Sequence, residues 1–248
     1  MATIDVDDGE AEMSVSQRIR WTVRGLRHVM LRQPASVKFI RPWLQTVWSS
    51  DSPLQRRHPW VTYPALSWLD QNVTSTMRVF EFGSGGSTLY FAERTAEVFS
   101  VEHDPEWHAA VCQALSAANL TNCHLQVTQA TAAIPGAADP YAAERKPELG
   151  NRFEAYARSI DAHPDASFDL VVVDGWARLA CIQHALPKVK PGGFLLLDNS
   201  EWPEFQAAHD WLWDYSGERF PGLGPFGAQP WETTVWRIDH PRALPAAA

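Results

Sequence analysis

The sequence predicts an α/β chain, a doubly wound and mainly parallel sheet with a helical addition at its N-terminal end, on three observations. Four short apolar runs each carry a carboxylate at or near the end: Val79-Phe80-Glu81-Phe82, Phe99-Ser100-Val101-Glu102, Leu170-Val171-Val172-Val173-Asp174 and Phe194-Leu195-Leu196-Leu197-Asp198. Helical segments alternate with these runs, as they do where parallel strands are joined by crossovers. The first run opens into Gly83-Ser84-Gly85-Gly86-Ser87-Thr88, a glycine turn that lets backbone approach a ligand closely at the start of a helix.

Taken in order, residues 1–13 form an acidic tail, expected to be disordered. Residues 14–62 form a helical segment. Val15, Ile19, Val23, Leu26 and Met30 recur at helical spacing with arginines between them, Pro34 interrupts, and Val37, Ile40, Leu44 and Val47 repeat the pattern. These two amphipathic helices are expected to pack on the sheet with their arginines in solvent. A cap over the site or a homodimer contact is the second reading, and a membrane-surface helix the last. Residues 54–64 are a polar, proline-punctuated link, and 65–71 a short helix. Strand and helix then alternate: strand 77–82, helix 89–95, strand 98–102, helix 105–118, strand 124–128. Residues 134–150 break the rhythm with prolines and charges, at a length typical of a functional loop or lid. Helix 152–160, strand 170–174, a helix marked by Leu179, Ile182 and Leu186 and stopped by Pro187, strand 194–198 and helix 203–215 follow. The run 170–174 is apolar throughout up to its aspartate, as in a strand buried on both faces. A glycine-proline loop at 220–225 precedes a last strand at 232–238.

The net charge of −8 argues against a general nucleic-acid binder, although residues 18–41 carry Arg18, Arg20, Arg24, Arg27, Arg32, Lys38 and Arg41. Cys112, Cys123 and Cys181 show no paired spacing and are expected to be reduced, buried thiols. Nothing near Cys123-His124 completes a metal site. With no signal-like N-terminus and no apolar run long enough to span a bilayer, the expected address is the cytoplasm and no membrane partner is expected.

In the glycine turn, Gly83 and Gly85 lack the Cβ atoms that would block a ligand, and Ser87 and Thr88 offer hydroxyls and free N–H groups where the helix begins. A dinucleotide fingerprint, G-x-G-x-x-G, is the rival, but Thr88 stands where its third glycine belongs. A plain tight turn is the other alternative. Joined to Glu102, Asp174-Gly175 and Pro191-Gly192-Gly193, the set resembles the class I S-adenosylmethionine-dependent methyltransferases over most of residues 63–239.

That resemblance implies a Rossmann-like, seven-stranded sheet closed by a C-terminal antiparallel hairpin, with residues 63–248 as the methyltransferase domain. It implies S-adenosylmethionine as cofactor, with Glu81 near its methionine portion and Gly83, Ser84, Gly85, Ser87 and Thr88 around it. Glu102, at the second strand tip, is placed to accept both ribose hydroxyls. His103 frames the nucleoside, and Asp104 does so or caps the following helix. The adenine is expected near 127–130, with Gln129 a candidate.

Asp174, Asp198 and Asn199 further resemble the catechol O-methyltransferase branch, in which such residues hold a magnesium ion. Three oxygen ligands at adjacent strand tips suit a hard cation. That branch's lysine, three positions after the first aspartate, is Ala177 here, and Arg178 follows, which stays protonated and cannot be a base. Without metal, Asp174 positions cofactor or substrate and Asp198-Asn199 caps a turn. Asp174 and Arg178 are the candidate catalytic residues. Arg178 either pairs with a substrate carboxylate, a phosphate or Asp198, or lies in solvent; the base is Asp174, His103 or a metal-bound hydroxide. Trp176 and Trp202 either stack on an acceptor at the pocket mouth or pack under loops, and Tyr63 and Tyr156 are weaker pocket candidates. The expected activity is O-methylation of a small-molecule hydroxyl, on a phenol or sugar-containing metabolite. A non-catalytic cofactor-binding module and an RNA methyltransferase are the alternatives.

Overall fold

A computed structural model describes residues 14–133, 139–143, 145–227 and 229–244. The acidic tail 1–13 and residues 134–138 and 144 of the insertion lie outside the described residues. Seven strands, β1 (Arg78–Phe82), β2 (Glu97–Glu102), β3 (Cys123–Val127), β4 (Phe168–Val173), β5 (Val189–Asp198), β6 (Ser216–Gly222) and β7 (Trp231–Ile238), form one sheet in the order β3-β2-β1-β4-β5-β7-β6. The first five pair in parallel, and β7 runs antiparallel to both β5 and β6. The expected doubly wound sheet with a C-terminal hairpin is thus present. Its strand order reverses between β1 and β4, where open α/β sheets leave a crevice at the carboxyl ends of the strands.

Both faces are covered, which is why the central strands read as continuous apolar runs. On one face α4 (Tyr63–Asn72), α5 (Gly86–Ala92) and α6 (Pro105–Ala117) contribute Leu69, Leu89, Phe91 and Val111 to a core shared with Val79, Val98 and Leu196. On the other, α7 (Glu154–Ala157), α8 (Arg178–Ala185) and α9 (Gln206–Trp211) pack Tyr156, Ile182 and Ala208 against Phe82, Phe168 and Leu197.

Several elements differ from expectation for local reasons. The fifth strand begins at Val189 rather than 194, because Pro191-Gly192-Gly193 lies within it, with Gly192 at φ +83°. The helix expected at 203–215 gives way at Ser216 to β6, which holds Gly217, Pro221 and Gly222. An edge strand tolerates such residues because one side needs no ladder hydrogen bond. Segment 152–160 becomes the single turn of α7 followed by a 3₁₀ turn at Arg158–Ala162. Cys112 is exposed on α6 rather than buried, Cys123 is half-buried and Cys181 buried; all three are free.

The N-terminal helices α1 (Val15–Arg32) and α2 (Ile40–Val47) differ: α2 packs through its periodic positions, with Val47 buried and Ile40 and Leu44 against the core, whereas of the periodic positions of α1 Leu26 alone does so. Gly25 and Val29 on α1 meet Trp43 of α2, so closely that a Cβ on Gly25 would lie 2.3 Å from the Trp43 ring. Trp43 and Val47 join the core with Val61 and Tyr63, whereas Val15, Ile19, Val23 and Met30 are exposed. Further along, α3 (Pro53–Arg56) seats its backbone on the first residue of α5: a Cβ on Gly86 would lie 2.4 Å from the carbonyl oxygens of both Pro53 and His58. Neither carbonyl can yield without moving the segment. Gly86→Ala is therefore expected to lower unfolding stability by about 1–3 kcal/mol in urea denaturation; an unchanged midpoint would show that residues 53–58 do not sit there.

Candidate active site

Four carboxylates stand at or just beyond the carboxyl ends of four adjacent strands: Glu102 (β2), Glu81 (β1), Asp174 (after β4) and Asp198 (β5). The turn between β1 and α5 lies among them. Gly83 sits at φ +93°, and a Cβ there would approach the Gly175 backbone to 3.2 Å, so this position needs glycine on both counts. Its N–H donates to the Val101 carbonyl while Asp174 N–H donates to the Phe82 carbonyl, tying β1 to both neighbours. The Trp107 indole donates to the Ser84 carbonyl at 2.8 Å and fixes the turn from α6.

Glu81 is fully buried. Its Oε2 accepts from the hydroxyls of Thr88 at 2.6 Å and Ser100 at 2.9 Å, and Thr88 in turn accepts from the Gly85 N–H. Oε1 has no hydrogen-bond partner among the described residues. Burial pushes this carboxyl from 4.5 up to about 7, with the hydroxyls of Ser87, Thr88 and Ser100 opposing the shift; Ser87 lies near without completing a hydrogen bond. Glu102 is the opposite case. Burial works to raise its pKa, but His103, the N–H groups of Asp104 and Ser84 and the Ser84 hydroxyl outweigh that and hold it at about 2. Its Oε2 accepts from the Ser84 N–H at 3.0 Å and hydroxyl at 2.8 Å; its Oε1 accepts from the N–H groups of His103 at 2.7 Å and Asp104 at 3.0 Å. His103 Nδ1 lies 2.7 Å from the same Oε1. Burial tends to lower the His103 pKa, but Glu102 raises it overall. Asp104 caps α6 through the N–H groups of Glu106 and Trp107.

Arg178 opens α8 and is buried. It donates to the carbonyls of Gly175 at 2.8 Å, Asp174 at 3.1 Å and Asp198 at 2.6 Å, and to Asn199 Oδ1 at 3.2 Å, with its guanidinium 3.2 Å from Asp174 Oδ1. One side chain thus ties the β4 and β5 tips together. Asp174 keeps 29% of its side-chain surface open, yet its recess in the cleft pushes its pKa from 3.8 up to about 6 against the pull of Arg178. Asp198 is closed off: Oδ1 accepts from the Trp231 indole at 3.0 Å and the Thr233 hydroxyl at 2.5 Å, and burial raises its pKa well above the ordinary value.

This arrangement gives no support to the magnesium expectation for Asp174, Asp198 and Asn199. Asp198 Oδ1 serves Trp231 and Thr233, Asn199 Oδ1 serves Arg178, and the Arg178 guanidinium pairs with Asp174. The described residues contain no group of three or more His, Cys, Asp or Glu fit to hold a metal. Cys123-His124 is likewise no ligand pair, since His124 bonds Glu97 and burial pushes the Cys123 thiol up to about 12.

Trp176 and Trp202 are half-buried beside this cleft. Phe153 stacks on Trp176 with ring centroids 6.0 Å apart, and His103 meets both rings edge-on. The Arg145 guanidinium lies 3.6 Å over the Trp202 ring. Phe153 and Arg145, at the end of the insertion, are contributions that the sequence carried no local signal for. Tyr63 is buried in the opposite core against Thr46. Tyr156 gains importance: its hydroxyl is buried without a partner among the described residues and would lie 2.0 Å from a Cβ on Gly175, directly beneath the crossing of Gly83 and Gly175. Val127, at the tip of β3 where the nucleobase was expected, is exposed.

Two expectations follow. Arg178→Met should cost about 3–5 kcal/mol in thermal or urea unfolding, because it strips a buried ion pair of its cation and three carbonyls of their donor; a loss below about 0.5 kcal/mol would mean that the clasp is ornamental. For Glu81 the pH sign runs downward. Between about 4.5 and 7 the unfolded chain has released a proton that folded Glu81 keeps, so stability falls with rising pH by about 3 kcal/mol across that window. Glu102 acts in reverse: its contribution is present above 4.5 and is lost as pH falls towards 2. Unfolding measured over pH should show Glu81→Gln flattening the slope between 4.5 and 7 while the acid-side loss persists.

No protein-family model matches the chain, and no curated protein matches it. Among solved structures it is similar to a candidate O-methyltransferase from Klebsiella pneumoniae, at 15% identity over 90% of this chain and 99% of that one, with a TM-score of 0.56. It is similar also to cofactor-bound Rv0187 from MTB, at 15% identity over 81% of this chain and 96% of that one, with a TM-score of 0.54. At these identities the likeness shows the fold: the chain has the Rossmann-like fold of the class I methyltransferases.

Proposed function

We propose that this chain is an S-adenosylmethionine-dependent methyltransferase acting on a hydroxyl oxygen of a small molecule, phenolic or sugar-containing. Glu81 carries the proposal. A buried carboxylate oxygen without a donor, under a turn whose glycine is at φ +93°, is an acceptor awaiting a ligand, and the ammonium of an amino-acid moiety supplies the donor it lacks. Glu102, anionic at the next strand tip, suits ribose hydroxyls, which would take over from the Ser84 hydroxyl. Bound there, the cofactor supplies an electrophilic methyl group on a sulfonium.

The chain's own part is positioning and proton transfer. Asp174 is open to the cleft, and a pKa of about 6 suits a base that takes the acceptor hydroxyl's proton on a carboxylate oxygen near neutral pH. Arg178 holds that carboxylate in place and has its donors on backbone and on Asn199, so it acts as a positioning residue. His103 is pinned to Glu102 and orients it. Trp176, with Phe153 stacked on it, and Trp202, with Arg145 over it, border the place for a flat or sugar-like acceptor. The candidate O-methyltransferase among the solved structures supports oxygen as the receiving atom.

Calorimetric titration with S-adenosylmethionine and with S-adenosylhomocysteine tests the cofactor. Binding to the wild type should weaken roughly tenfold or more in Glu102→Ala, where a charged acceptor is lost, and should be unchanged by chelator. Folded protein that binds neither compound would overturn the assignment. In a screen of phenolic and glycosylated acceptors, Asp174→Asn should lower kcat while keeping the affinity for S-adenosylhomocysteine.

A further inference from the structure

We infer that the N-terminal helical hairpin is a docking face for an anionic lipid surface, on which the protein lies without spanning it. The site proposed above plays no part in this inference. At 3.6 residues per turn, Val15, Ile19, Val23, Leu26 and Met30 fall on one stripe of α1. In a core-facing helix that stripe is buried; here Val15, Ile19, Val23 and Met30 are 50–66% exposed. Packing against α2 uses the neighbouring stripe of Gly25 and Val29. Val37 and Trp48 are exposed as well, and together with Ile40 and Leu44 they line an open, largely apolar groove along α2. The two apolar strips meet where the Trp48 indole donates to the Thr22 hydroxyl at 3.0 Å.

Charge identifies the occupant. Residues 14–50 contain Arg18, Arg20, Arg24, Arg27, Arg32, Lys38 and Arg41 and no aspartate or glutamate, in a chain whose net charge is −8. Arg20, Arg24 and Arg27 are exposed and continue round α1 directly beside the apolar stripe. An apolar stripe with a cationic margin matches the interface of an anionic bilayer, where aliphatic side chains enter the acyl boundary and guanidinium groups meet lipid phosphates. A second copy would bring two all-cationic surfaces together, and a nucleic acid would use the arginines but leave the apolar stripe in water. Of these three occupants, the lipid surface alone satisfies both halves. No helix among the described residues is long and apolar enough to cross a membrane.

The test is co-sedimentation of the full chain with vesicles of phosphatidylcholine alone and of phosphatidylcholine mixed with phosphatidylglycerol. Binding is expected to the mixed vesicles, to fall with added salt and to be weak on phosphatidylcholine. Ile19→Glu with Val23→Glu should weaken it about tenfold or more, and so should Arg20, Arg24 and Arg27 changed together to Gln. These side chains are exposed, so an unchanged melting curve checks each variant; Val15→Ser with Met30→Ser serves as a second pair. Absence of binding to the mixed vesicles overturns the inference. So does binding that the glutamate pair leaves unchanged, because the apolar stripe then plays no part. A wild-type dimer that the glutamate pair converts to monomer overturns it in favour of a second copy, and salt-sensitive RNA binding without vesicle binding overturns it in favour of nucleic acid.

Discussion

Keeping four carboxylates buried or half-buried at adjacent strand tips is the constraint around which the rest of the molecule is arranged. Each is handled by different means. Glu102 is held charged by N–H dipoles from the two turns it touches, which is favourable because those donors are already fixed. Glu81 accepts from two hydroxyls that favour its charged form, but burial outweighs them and holds its pKa at about 7. Asp174 pairs with the Arg178 guanidinium, whose other hydrogen bonds go to the backbone of the β4 and β5 tips and to Asn199, while Asp198 is capped by Trp231 and Thr233. The devices that neutralise the carboxylates therefore also fix the spacing of β2, β1, β4 and β5 at their carboxyl ends. A cleft whose walls are set by its own charge compensation needs little reorganisation when a ligand enters.

How far the sequence disclosed this follows from the range of the forces involved. The strand tips and the glycine turn were legible, because apolar runs and positive-φ glycines are local properties. Asp104 as a cap and Gly83 as the close approach were legible for the same reason. The direction in which Asp198 points was not. It is decided by Trp231 and Thr233, on a strand more than thirty residues later, and an Asp-Asn pair reads identically whether it faces a cation or a tryptophan. Arg178 was read as either pairing with a charged group or lying in solvent, but its partners, three carbonyls from two loops, come together only in three dimensions. The edge strand β6 was hidden by Pro221 and its glycines, and Tyr156 looked ordinary because nothing in its own segment reveals that its hydroxyl ends beneath Gly175.

The helical periodicity of residues 15–30 was read correctly as a helix and wrongly as a core face. A hydrophobic stripe records only that something apolar lies against it. Here the interior contact is made by Gly25, which hydropathy ignores, with Trp43 filling the space that its missing side chain leaves. With the packing need met by that pair together with Val29 and Leu26, the exposed Val15, Ile19, Val23 and Met30 are surplus to the fold, and surplus apolar surface beside a cationic margin calls for an explanation outside the monomer.

The hairpin is also no loose appendage. The Trp43 indole donates to the Gly227 carbonyl, Thr62 bonds the Phe220 carbonyl and Thr233, and Arg57 pairs with Glu93 at the end of α5. Gly86 lies directly against the carbonyls of Pro53 and His58. The segment joining the helices to the sheet thus grips α5, whose first turn closes the glycine loop, and Thr233, which anchors Asp198. Contacts at that spacing leave no hinge between the apolar stripe and the cleft. A surface that captures the hairpin therefore fixes the orientation of the strand tips as well, and it does so by rigid geometry, with no change of shape required at the site.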